Sequence, residues 1–189
     1  MQSITRMPAG SALEEAYLLV GVALVSLFFG LNYGVVQIQP VTEHGWRWEL
    51  YWCIATIDPT NLSPEDLRQV VLQDVTKLYV GDELSVQRCN IVERPCAHSR
   101  YFRYLADIIY TEDHIAPDDR EPLKLEARKI TREIVADRLF TANADAVVTA
   151  LLAEESLTES RILEICKDDD TRDYWIERHP LIELAHTSL

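Results

Sequence analysis

Residues 16–31 read AYLLVGVALVSLFFGL, and the fold turns on what this run is. No charged residue occurs from Ala16 to Thr42, and in the densest part only Ser26 breaks the succession of apolar and aromatic side chains. A membrane span needs roughly 20 apolar residues, and this run falls short of that before Asn32 and Gly34 interrupt it. Only Arg6 precedes it as a basic residue, so the flanking positive charge that orients a span is missing. Ser11 stands at a helix N-cap position, with Glu14 three residues on as in a capping box. The expectation is a helix from about Leu13 to Phe29, stopped near Gly30. Because it is apolar on every side it should be buried on every side. A core helix is the preferred reading; a membrane anchor over residues 16–36 is the alternative.

Working outward, Val35 to Gln39 reads as a strand ended by Pro40, followed by a turn from Thr42 to Gly45. Trp46 to Thr56 is rich in aromatic and β-branched residues and reads as its partner strand. Period two puts Trp46, Trp48, Leu50 and Trp52 on one face; a covered sheet face is a commoner use of such a row than a binding platform. Ser63, Pro64, Glu65 and Asp66 open a second helix, with a hydroxyl cap, proline in the first turn and acids at the positive end of the helix dipole. That helix is expected to reach about Tyr79, with Gly81 to Pro95 irregular. A helix over about Ser99 to Tyr110 follows, then a break from Thr111 to Pro117. Asp118 to Leu139 reads as one long amphipathic helix, with Leu123, Ala127, Ile130 and Ile134 on one stripe. A short helix from Ala144 to Glu154 comes next, and then Thr158 caps Glu159 to Cys166. The fold class expected is mainly α, with a small β-hairpin or sheet near the N-terminus. The organisation expected is a leader over 1–12, a helical domain over 13–166 and an acidic tail over 167–189.

The chain has 189 residues, 48% of them hydrophobic, which is enough for a real core. Its net charge of −13 makes nucleic acid an unsuitable partner, since phosphates would be repelled. Cys53, Cys89, Cys96 and Cys166 form no C-x-x-C pair and lie at no zinc-finger spacing from a histidine. A reduced, cytoplasmic chain is the simpler expectation. Glu14 and Glu15 stand directly before the apolar run, where a secretory signal would carry positive charge.

Motifs for chemistry are scarce. None of Gly10, Gly21, Gly30, Gly34, Gly45 and Gly81 precedes the Lys–Ser or Lys–Thr pair that a phosphate-cradling loop requires. No two of His44, His98, His114, His179 and His186 are four apart, the spacing that brings two imidazoles to one helical face. No G-x-S-x-G elbow is present. No cofactor is implied.

Against this background the decamer Ala16 to Val25, AYLLVGVALV, resembles the metal-binding helix of the FtsH-type ATP-dependent zinc proteases, whose usual form is A-Y-H-E-A-G-H-A-L-V. Val35 to Pro40, VVQIQP, is similar to the strand that follows that helix in the family, V-x-K-V-x-I-x-P. Residues 125–166 resemble the family's closing helices and their N-x-x-A-L-x-x-L-A-x-x-L-x-E-x-E-x-L-T pattern. Asn143, Leu151, Glu154, Leu157 and Thr158 stand at comparable places in slightly different spacing. The pieces together span most of residues 13–166 in the family's order.

The departures from the family pattern bear on function. The resemblance assigns the two zinc-binding histidines and the catalytic glutamate to positions occupied here by Leu18, Leu19 and Val22. None of these can bind a metal or move a proton. The family's third ligand is an Asp in a G-A-x-x-D sequence. The comparable segment, Cys96 to Arg100, puts Arg100 there, where its cation would repel a metal. The family's G-G-R-x-A-E-E segment is not preserved around Gln73 to Gly81, and its ATPase half has no counterpart in the sequence. Losing a metal leaves buried imidazole and carboxylate unpaired, which is costly. Replacing all three with aliphatic side chains turns a wet site into dry core, at about 1.5–3 kcal/mol of hydrophobic stabilisation for each one buried. The resemblance therefore implies a domain that has lost its protease chemistry and works by binding protein, beside an FtsH-type protease or as a homo-oligomer. An enzyme built instead on Cys89, Cys96 and His98 is the competing expectation, with the membrane anchor as a third.

Overall fold

The structure, a computed structural model, describes residues 12–28, 35–41, 45–51, 62–90 and 103–166. These form a mainly helical fold, as expected. In chain order they are α1 (Ala12–Phe28), β1 (Val35–Val41), β2 (Gly45–Tyr51), α2 (Pro64–Cys89), the π-helix α3 (Leu105–Glu112), α4 (Pro117–Ala136), α5 (Arg138–Glu154), β3 (Ser156–Thr158) and α6 (Glu159–Cys166). The leader, the loops between these segments and the tail over 167–189 lie outside the described residues, and so do Ser11 and Trp52.

The long helix α2 is the hub. It packs most extensively on α1, then on α4 and α3, while α5 lies on the other side of α1. α1 is enclosed as its composition requires: from Ala16 to Val25 only Tyr17 is more than marginally exposed. The apolar stripe of α4 is the predicted one, with Leu123, Ala127, Ile130 and Ile134 all buried. From α5, Phe140, Ala144, Val147 and Leu151 complete the core.

Several boundaries differ from expectation, each for a visible reason. α2 begins as predicted: the Asp66 backbone N–H donates to Ser63 Oγ at 3.1 Å, and Pro64 sits in the first turn. It does not stop near Tyr79, however, but runs to Cys89, ending on a left-handed Asn90 whose N–H donates to the Val86 carbonyl. Gly81, taken as the sign of an irregular stretch, is an interior residue of this helix. Its lack of a side chain serves packing against α1.

The helix expected over Asp118 to Leu139 is two helices. Asp137 adopts an extended conformation (φ −74°, ψ 128°), and its Oδ1 accepts from the backbone N–H groups of Leu139 and Phe140 at 2.8 and 3.1 Å. It thus ends α4 and caps α5, which starts at Arg138 and not at Ala144. Substituting Asp137→Ala should lower unfolding free energy by about 1 kcal/mol, measured as a shift in urea midpoint at unchanged slope.

The break predicted from Thr111 is later than expected. α3 runs through Glu112, with Thr111 Oγ1 donating to the Ala106 carbonyl at 2.7 Å. Arg120 from the next helix closes its end, donating to the carbonyls of Glu112 (2.7 Å) and Ile115 (2.9 Å).

The sheet has the order β2-β1-β3. β1 and β2 form the expected antiparallel pair, with Val36 opposite Leu50, Ile38 opposite Trp48 and Pro40 opposite Trp46. Pro40 lies inside β1, where it was expected to end it. β3 pairs with Val35 to Gln37, so among the described residues one side of the strand carries no ladder at Pro40, an edge position where proline is tolerated. Gly45, placed in the turn by its sequence context, is the first residue of β2. β3 was not expected, being three residues long and paired to a strand more than a hundred positions away. After it, Thr158 caps α6 as predicted, its Oγ1 accepting from the Arg161 N–H at 3.2 Å.

Candidate functional site

The three positions that the resemblance marks as degenerate sit on α1, and two of them, Leu18 and Val22, border its contact with α2. Leu18 and Val22 are fully enclosed, and Leu19 is 4% exposed. The two helices touch at a pair of glycines. A Cβ added to Gly21 would lie 2.8 Å from the Gly81 Cα. One added to Gly81 would lie 2.6 Å from the Leu18 carbonyl oxygen and 2.7 Å from a Val22 methyl. The backbones therefore approach more closely than any side chain allows. Leu18 and Val22 flank the contact instead of lining a space. Each glycine inside a helix costs about 1 kcal/mol relative to alanine; the dispersion contacts of the close approach offset that cost.

Polar pins hold the same seam at its ends. Ser85 Oγ of α2 donates to the Glu14 carbonyl at 3.1 Å. Ser26 Oγ returns to the Val22 carbonyl at 2.8 Å, which satisfies a buried hydroxyl without a cavity. On the flank facing α5, Asp145 accepts from the Tyr17 hydroxyl at 3.0 Å and from Arg88 at 2.5 Å, tying three helices together. Burial, reinforced by the Asp145 carboxylate, pushes the Tyr17 hydroxyl up to about 12.

A second set of charged groups runs along α2 toward α3 and α4. Lys77 pairs with Asp74 in a buried contact. Burial pushes the Asp74 carboxyl up, against the pull of Lys77 and of His114. Tyr79 donates to Asp107 at 2.5 Å, Lys124 lies 3.7 Å from the same carboxylate, and the Arg128 guanidinium stands 5.6 Å from the centre of the Tyr79 ring. Asp82 pairs with Arg103 at 2.5 Å. Sequence reasoning missed this row because its partners Arg103, Asp107, Lys124 and Arg128 stand on other segments of the chain, and because Asp82 lies past the helix end expected near Tyr79.

Arg100, Cys96 and His98 lie outside the described residues. Cys89 itself ends α2, partly buried, and its thiol is pushed up by burial and by Glu14. That is the opposite of an activated nucleophile. Alkylation of Cys89 by iodoacetamide at pH 7 should accordingly be slower than that of the same cysteine in the urea-unfolded chain, read by mass spectrometry of the labelled peptide. Cys166, partly buried against the core, is pushed up to about 11 by that burial. Among the described residues no three His, Cys, Asp or Glu side chains are grouped so as to hold a metal ion. Also among them, no helix is long and apolar enough to cross a membrane. No protein-family model, curated protein or solved structure matches the chain.

Proposed function

We propose that the chain is a catalytically inactive FtsH-peptidase-like protein that acts by binding protein, beside a protease assembly or as a homo-oligomer. The observation that carries this reading is the character of α1. In the FtsH-type helix that it resembles, the positions of Leu18, Leu19 and Val22 hold the metal ligands and the general base. Here all three are aliphatic and buried, and Leu18 and Val22 border a glycine-to-glycine helix contact. Converting all three positions to well-packed core favours a retained scaffold over a damaged enzyme. The acidic surface implied by a net charge of −13 suits a partner with basic patches. The pushed-up thiol of Cys89 weighs against the cysteine-enzyme reading. The enclosure of α1 between α2 and α5 weighs against its use as an anchor.

The test pairs an activity assay with a binding assay on the full chain. Incubation with unfolded casein and added zinc should give no cleavage above background. Sedimentation velocity, alone and with a purified FtsH-type protease, should show a self-assembled species or co-sedimentation. Metal-dependent cleavage would overturn the inactive reading. A chain that stays monomeric and sediments apart from the protease would overturn the binding one.

A further inference from the structure

α3 is held differently from the helices around it. It is a π-helix, a geometry seldom sustained for more than a turn. Among its described side chains the buried apolar ones are Ala106 and Tyr110, with Leu105 partly buried against the core and Ile115 buried just past its end. What joins it to α2 is a row of polar contacts in antiparallel register. Arg103, just before α3, meets Asp82 at 2.5 Å, and Asp107 accepts from Tyr79 at 2.5 Å. Lys124 of α4 holds Asp107 from the other side at 3.7 Å. The Arg103 side chain is 48% exposed and that of Asp107 34%, against 7% for Asp82 and 16% for Lys124, so salt reaches each pair from one side.

We infer that α3 is a charge-latched segment that opens from α2 on its own, ahead of the rest of the fold, and uncovers the Tyr79–Asp82 stretch of α2. Local opening belongs to elements with few buried apolar contacts. α3 has few among its described side chains, whereas α1 buries nearly its whole length. The contacts that replace them are partly exposed pairs, individually weak and screened by ions. The inference does not depend on the functional reading of α1.

Native-state hydrogen exchange on the full chain tests it. Raising NaCl from ~0.05 to ~0.5 M should lower the protection of the Leu105–Glu112 amides roughly tenfold, while those of α1 hold. Arg103→Gln should produce the same loss at low salt, and Arg103→Lys, which keeps the charge, should restore most of it. α3 amides that exchange only with global unfolding at both salt concentrations would overturn the inference. So would an Arg103→Gln chain with unchanged protection.

Discussion

A Gly81→Leu chain is expected to lose its cooperative unfolding transition, and Gly81→Ala to lose about 1–3 kcal/mol of stability. Helix propensity alone predicts the reverse, since alanine should gain about 1 kcal/mol over glycine within a helix. Geometry decides between the two effects. The added Cβ would meet the Leu18 carbonyl oxygen at 2.6 Å, and a backbone atom on a buried helix cannot swing aside as a side-chain tip can. Relief requires α1 and α2 to separate, and their contact is the most extensive in the fold. Separation would loosen Leu18, Val22 and Leu84 together. Leucine adds three further carbons to the same gap. Gly21→Ala should behave like Gly81→Ala, because its Cβ would lie 2.8 Å from the Gly81 Cα. Gln87→Ala, at an exposed position of α2, should be nearly neutral. Urea denaturation followed by tryptophan fluorescence and far-ultraviolet circular dichroism measures all four.

Writing the family's motif back into α1 should unfold the protein instead of reviving an enzyme. The triple substitution Leu18→His, Leu19→Glu, Val22→His places two imidazoles and a carboxylate where the present side chains are at most 4% exposed. Each buried polar group without a partner costs about 1–3 kcal/mol, and an unpaired charge costs more. The lost aliphatic packing adds to this. The sum exceeds the roughly 5–15 kcal/mol by which domains are usually stable, or consumes most of it. The expected result is a chain with diminished helical signal and no sharp thermal transition, with or without zinc. A folded triple variant whose melting temperature rises on adding zinc would mean that α1 still borders a metal-sized space.

The mainly helical class was legible because α1 and α4 carry strong, unbroken patterns: apolar on all sides in one, a four-three-four stripe in the other. The first turn of α2 was legible because Ser63 and Pro64 are local signals acting on local backbone. The misplaced boundaries share a different cause. Gly81 resembles a helix end when read by propensity, and only the partner glycine on a helix sixty residues earlier makes it an interior residue. Asp137 lies within a continuous amphipathic pattern, and its capping role appears only once its side chain turns back to the Leu139 and Phe140 amides. β3 is too short to announce itself and exists through its pairing to β1. At the candidate site, the absence of ligands at Leu18, Leu19 and Val22 was plain from the residues. The enclosure of Leu18 and Val22 against the Gly21–Gly81 contact was not, because burial at a helix crossing depends on both helices. The charged row from Asp74 to Asp82 was not legible because its partners come from other elements, Asp107 from α3 and Lys124 from α4.

Zinc content tests the central claim most directly. The purified chain, equilibrated with excess zinc and then dialysed, would be assayed by elemental analysis beside its Leu18→Ala variant. An α1 closed around Leu18, Leu19 and Val22 predicts far less than one zinc per chain in both. One zinc per chain in the unmodified protein, held through dialysis and lost on substitution at Leu18, would contradict it.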